Sequence, residues 1–367
     1  MKNILDFNIP FCDAGATFIN CFASAYMFLE NISVGNTDYD CPQLKGISCN
    51  SCGNCRMGGN TPIKMQEKYV FLFDTMCGRS SLRCRFDNEW TEPQKMICKY
   101  DFFDGGTDNN IDFLFGFAGY KYSKLTDSIE FKNAINTSID AGNPVIVKVK
   151  TGDAKFRLII GYDDETLIIC PGFNTPKEPE HTPTYDELEV LYIIGDKIKP
   201  LYSVTDGLKR IFYVMEHNQK ENLWGGYTEK MGLYTSDSLM NCNIEEKKIR
   251  MSRVAETMWH TFNCHNFAEV FRNYCDGGDA SIFNSVSDMK KLNNPDLKEL
   301  WNKISGPCCG YTHDLAWALI GLDECADWAK HAAGYFGEMV ELTLDQISNN
   351  DDSMFETIKK AIEILEA

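Results

Sequence analysis

The most constraining feature is a change of period near residue 142. Residues 127–141 carry Phe131, Ala134, Ile135 and Ile139 at helical spacing. Asp127, with Glu130 three residues on, has the form of a capping box. Gly142 suits the C-terminal cap and Pro144 prevents continuation. The period then falls to two. VIVKVK from Val145, FRLIIGYDD from Phe156, TLIIC from Thr166 and EVLYIIG from Glu189 are rich in β-branched and aromatic residues, and turn residues separate them. LKRIFYVME from Leu208 reads as one more strand after Pro200. A helix followed by a run of strands predicts an α+β fold, not a doubly wound parallel sheet.

Around this block the chain is organised differently. Phe18, Phe22, Ala25 and Leu29 predict a helix over residues 18–29. Residues 35–62 are rich in Gly, Asn, Ser and Cys and lack periodicity, so they read as an inserted loop. A loop of that length in a compact domain calls for something to organise it. Residues 64–82 read as partly helical, and the acid-rich segments 101–112 and 163–165 as turns. Beyond Glu216 the pattern is helical: Val254, Met258 and Phe262 share a face, as do Leu297, Leu300, Trp301 and Ile304. A last helix opens on Ser353 and Glu356 and offers Phe355, Ile358, Ile362 and Leu365 to a core. At 367 residues the chain has room for two domains. The boundary is expected between residues 197 and 220, giving an α+β domain over 1–205 and a mainly helical domain over 206–367.

Charge and motifs exclude several functions. The net charge of −17 argues against nucleic-acid or anionic-membrane partners, whose surfaces reward Lys and Arg. No apolar run approaches the roughly 20 residues of a membrane span. Phosphate-binding Gly-x-x-x-x-Gly-Lys-Ser/Thr and dinucleotide-binding Gly-x-Gly-x-x-Gly patterns are absent, and the acidic turns lack Ca²⁺-loop spacing. Asp6, Pro10, Cys12 and Asp13 interrupt any signal-peptide core, so a cytoplasmic location with reduced thiols is expected for the 16 cysteines.

Two cysteine patterns then point to chemistry. Cys41, Cys49, Cys52 and Cys55 lie in the inserted loop with two-residue gaps between the last three. Such gaps let adjacent thiolates converge on one ion, and four thiolates make a closed, structural zinc site. An iron–sulfur cluster is the alternative, but ferredoxin-type runs place the fourth Cys and its Pro after the triplet, whereas Cys41-Pro42 precede it. Cys21 stands alone, near the start of the first predicted helix. A helix N-terminus carries partial positive charge that favours a thiolate, as a nucleophile requires. A buried, packed cysteine is the other reading of the same position.

The order of elements adds a resemblance. A Cys-bearing helix, an insertion, a capped helix, a strand opening Gly142-x-Pro144-Val145-Ile146 and a strand ending Gly161-Tyr162-Asp163 resemble the papain-like cysteine proteins. The similarity is to the bacteriocin-exporter-peptidase group and its butirosin-H-type branch, over residues 8–215. It implies a papain-like N-terminal fold with Cys21 as nucleophile, and acyl transfer or amide-bond hydrolysis on a small peptide or thioester-linked acyl group. The group's active members place a His at the start of the Gly-Tyr-Asp strand, where this chain has Lys155 and Phe156. They place an Asp or Asn on the next strand, where it has Cys170. His181, in the loop PEHTPTYDE, is then the candidate base, being the one histidine within the strand module. Two other functions stay open: a catalytically inactive relative binding a small molecule or peptide at the domain interface, and a structural or sensory zinc protein.

Overall fold

A computed structural model describes residues 2–9, 18–32, 62–78, 108–150, 156–170, 182–220, 288–300 and 354–367, with isolated positions between 241 and 286. The chain divides into two compact units. One comprises Met1–Phe73, Phe103–Leu201 and Ser285–Ser287; the other comprises Asp74–Phe102, Tyr202–Asn284 and Asp288–Ala367. Helices and an antiparallel sheet make the architecture α+β.

The first unit is built on six strands: β1 (Lys2–Ile4), β2 (Tyr120–Leu125), β3 (Val145–Val149), β4 (Phe156–Asp163), β5 (Thr166–Ile169) and β6 (Leu188–Lys197). Their order is β1-β4-β3-β6-β2, and β5 also pairs with β4. Every pairing is antiparallel. The helices are α1 (Phe18–Leu29), α2 (Pro62–Met76, of which residues up to Phe73 belong to this unit), α3 (Asp108–Ala118) and α4 (Ser128–Asp140). β2 forms one edge of the sheet. Lys121 and Lys124 lie on it, the kind of charge that discourages edge-to-edge pairing.

Alternation along the strands sorts the core into two faces. Val145, Val147, Val149, Ile159 and Leu191 point to one face, where Phe131, Ile135 and Ile139 of α4 cover them. The intervening residues Ile146, Leu158 and Tyr192 are buried on the other face. There Phe18 of α1 meets Tyr192 at 5.1 Å and Phe156 at 5.6 Å between ring centroids. Every residue of α1 from Phe18 to Met27 is buried. A helix apolar on all sides belongs inside a domain.

α4 ends as its sequence directs. The Asp127 carboxylate accepts the Ile129 N–H at 3.0 Å. At the other end Gly142 takes φ +87°, Asn143 N–H donates to Ser138 O, and Gly142 N–H donates to Ile139 O, the Schellman arrangement.

The Gly161-Tyr162-Asp163 run has a structural role in this sheet. Gly161 pairs with Ile4, and a Cβ on it would lie 2.8 Å from Asn3 O. A register shift between Ile159 and Gly161 turns Tyr162 into the α4 core. Its hydroxyl donates to Asp140 Oδ1 at 2.8 Å, and Asn3 Nδ2 donates to the same oxygen at 2.8 Å. Asp163 pairs with Lys2 at 3.0 Å.

The structure corrects four local expectations. Residues 208–216 belong not to a strand but to helix α5, Val204–Lys220, in the second unit. Leu208, Ile211 and Met215 recur at i, i+3 and i+7 and are buried, while Tyr213 is exposed. Ser203 and Asp206 start α5 with a capping box: Ser203 N–H donates to Asp206 Oδ2 at 2.7 Å and Asp206 N–H to Ser203 Oγ at 3.2 Å. Asp288 Oδ1 accepts the Val204 N–H at 2.7 Å. Second, residues 108–112 belong to α3, because Ile111, Leu114, Phe115 and Ala118 make a buried helical stripe. Third, β1 and β2 stand where no strand is expected: β1 has only three residues, and β2 is polar at Lys121, Ser123 and Lys124. Fourth, the helix over 354–366 buries Met354, Ile358 and Ala361, whereas Phe355, Ile362 and Leu365 are half-buried. Phe355 stacks on Phe212 at 4.7 Å within the second unit. The faces expected for Val254, Met258, Phe262, Trp301 and Ile304 lie outside the described residues. No helix among the described residues is long and apolar enough to cross a membrane.

Candidate functional site

α1 carries the first candidate. Cys21 is its fourth residue, at the end of the first turn. No acidic residue stands in that turn to oppose a thiolate. The thiol is nonetheless wholly buried, 0% exposed. Phe18, Ala25 and Phe28 lie on the same side of the helix, at i−3, i+4 and i+7.

Of the positions that the resemblance assigns to a base and its orienting partner, Phe156 and Cys170 are described, and both are packed. Phe156 opens β4 and is 2% exposed. Its ring stands edge-on to Phe18, one turn before Cys21. Cys170 follows β5 and is 4% exposed. Its N–H donates to Leu158 O at 2.8 Å and its thiol to Ile9 O at 3.7 Å. Cys21, Cys77 and Cys170 are all buried thiols.

The remaining candidates fall elsewhere. Lys155, His181 and the four loop cysteines Cys41, Cys49, Cys52 and Cys55 lie outside the described residues. Among the described residues the only histidine is His217, in α5 of the second unit. Among them, too, no group of three or more His, Cys, Asp or Glu is placed to hold a metal ion.

Sequence reasoning missed the polar groups that fix α1 in its surroundings. Gln66 Nε2 of α2 donates to Ser24 Oγ at 3.3 Å, one turn after Cys21, and both residues are fully buried. At the far end of the helix Glu30 accepts from the Tyr120 hydroxyl at 2.6 Å and pairs with Lys197 at 2.6 Å. Burial pushes the hydroxyls of Tyr26, Tyr69 and Tyr120 well above the ordinary phenol range, and the hydrogen bond to Glu30 adds to this for Tyr120. These phenols therefore stay neutral. The Glu30 partners lie 90 and 167 residues away along the chain, so no local pattern announces them.

No family model, curated protein or solved structure matches the chain.

Proposed function

We propose that the N-terminal α+β unit is a papain-like module that has lost Cys–His chemistry and binds a small molecule or peptide. The carrying observation is Phe156. An enzyme of this type needs an imidazole within hydrogen-bond reach of its thiol. At one of the two positions the resemblance assigns to that imidazole, Lys155 and Phe156, an aromatic ring is packed on Phe18 at 5.6 Å. Cys170, where the orienting carboxylate or amide belongs, spends its thiol on Ile9 O. A lysine at 155 is a poor substitute base near neutral pH unless burial lowers its pKa strongly. The test is competitive labelling with iodoacetamide, mapped by peptide mass. The non-catalytic reading expects Cys21 to react no faster than Cys77 or Cys170, and preferential labelling of Cys21 contradicts it.

A second reading keeps the chemistry, and the place of Cys21 in the first turn of α1 favours it. Cys21 would attack a thioester or amide carbonyl, with His181 as base and N–H groups near the helix start stabilising the oxyanion. Loss of Cys21 labelling reactivity in a His181→Ala variant would support this reading over the first.

The inserted loop is a separate proposal. Cys41, Cys49, Cys52 and Cys55 hold one structural zinc ion, which contributes folding energy to a segment with little apolar surface of its own.

A further inference from the structure

The second unit carries a cleft between residues 295–300 and the helix over 354–366. Its first wall begins at Asn294, which caps a helical turn. The Asn294 Oδ1 accepts the Asp296 N–H at 2.8 Å, and its carbonyl accepts the Leu297 N–H at 3.0 Å. Leu297 turns into the unit and is wholly buried. Asp296, Glu299 and Leu300, at i, i+3 and i+4, are left on one side and line the cleft.

The second wall follows from three stripes of the helix over 354–366. Met354, Ile358 and Ala361 are buried. Phe355 stacks on Phe212, and Glu366 pairs with Lys209, so the flank that carries these two residues faces α5. They stand about three turns apart on that flank. Lys360, Glu363 and Ile364 fall on the other flank and face the cleft.

The cleft has a volume of about 420 Å³. Small-molecule sites span roughly 300–1,000 Å³ and join an apolar lining to a few polar groups. Leu300 and Ile364, both half-buried, supply the apolar part. Three exposed carboxylates, Asp296, Glu299 and Glu363, stand around them against one ammonium, Lys360. Among the described residues no ion pair neutralises Asp296 or Glu363. The carboxylate excess repels an anion. A neutral apolar molecule would cover the carboxylates and give them no partner. Among the described residues no group of three His, Cys, Asp or Glu is placed to hold a metal ion. A molecule with an aliphatic body and a protonated amine matches both the lining and the charge.

We propose that this cleft binds a small primary alkylamine, its chain on Leu300 and Ile364 and its ammonium among Asp296, Glu299 and Glu363. The site lies in the second unit and stands apart from the reading of Cys21.

The test titrates the full chain with hexylamine by isothermal titration calorimetry at low salt, where exposed charges are least screened. Hexanoate and methylamine serve as comparisons. The cleft predicts saturable binding of hexylamine at one site, weaker binding of methylamine, which lacks the apolar body, and none of hexanoate. Glu363→Lys is expected to weaken hexylamine by about threefold or more. Glu130→Lys, the same change of charge on α4 of the first unit, should leave binding as it is. Equal weakening by the two variants would mean diffuse attraction to an acidic protein and overturns the site. Hexanoate binding as tight as that of hexylamine overturns it too, as does the absence of saturable hexylamine binding. Glu363→Gln serves the same comparison, with a smaller expected loss, if the lysine variant does not fold.

Discussion

Phe156 stands edge-on to Phe18, with ring centroids 5.6 Å apart and planes inclined by 82°. Phe18 also contacts Tyr192 at 5.1 Å and Phe115 at 6.3 Å, so Phe156 belongs to an aromatic cluster between α1 and the sheet. Truncating a ring in such a setting removes transfer energy and leaves a cavity. Phe156→Ala is expected to cost about 3–5 kcal/mol of stability, read by denaturant unfolding. Phe156→His is expected to destabilise as well, because it buries ring nitrogens among apolar rings. A histidine variant as stable as the parent would show that the position is not a packing position.

Asp140 links the N-terminal strand to the motif strand. Hydrogen bonds from Asn3 and Tyr162 hold its carboxyl below the usual carboxylate range. The same bond raises the Tyr162 hydroxyl. A carboxylate with a lowered folded pKa contributes stability above its unfolded value of about 4, and that contribution is lost as pH falls through the lower folded value. Asp140→Asn should therefore be less stable than the parent near neutral pH, with the difference closing as the pH drops below about 4. Unfolding midpoints across that range check it, and a difference independent of pH would rule out the carboxylate as its source.

The capping box of α5 is a local feature with a separable effect. Ser203→Ala removes the oxygen that accepts the Asp206 N–H and is expected to cost about 1 kcal/mol. Ser203→Thr or Ser203→Asp keeps an acceptor there and should recover most of the loss. The comparison of the three variants in thermal or denaturant unfolding distinguishes a cap from an unspecific surface change.

The loop cysteines predict one zinc ion per chain in protein purified without added chelator. Replacing Cys52 with Ser should lower zinc content and make residues 35–62 easier to cleave, since the ligand thiolates supply the folding energy of the segment. Elemental analysis with limited proteolysis reads both. Absence of stoichiometric zinc contradicts the zinc site, and stoichiometric iron in its place points to a cluster.

Much of the first unit was legible in the sequence because its signals are local. The Asp127 cap, the Gly142 turn and the β-branched runs from Val145, Phe156, Thr166 and Glu189 each act within a few residues, and each element forms where its signal lies. α5 was misread because Ile211, Phe212, Tyr213 and Val214 have strand-like side chains, whereas burial follows the helical stripe Leu208, Ile211 and Met215. β1 and β2 take their stability from Gly161 and β6, partners distant in the chain. At the candidate site, Cys21 was legible as a cysteine in the first turn of a helix. Its burial, the Phe7–Phe28 stack and the Cys170–Ile9 bond were not, because each depends on residues brought together by the fold.

The central claim, that Cys21 is not an activated nucleophile, is tested most directly by the pH dependence of its alkylation. Where local opening and closing are fast, opening scales the rate of a buried thiol equally at each pH, so the midpoint of the profile reports the thiol itself. Iodoacetamide labelling of Cys21 is followed by peptide mass from about pH 5 to pH 9, a range spanning activated and ordinary thiols. The account predicts a rate that keeps rising through neutral pH toward the ordinary thiol value of about 8.5 or above. A plateau with a midpoint below about 7 would reveal a stabilised thiolate and contradict the account.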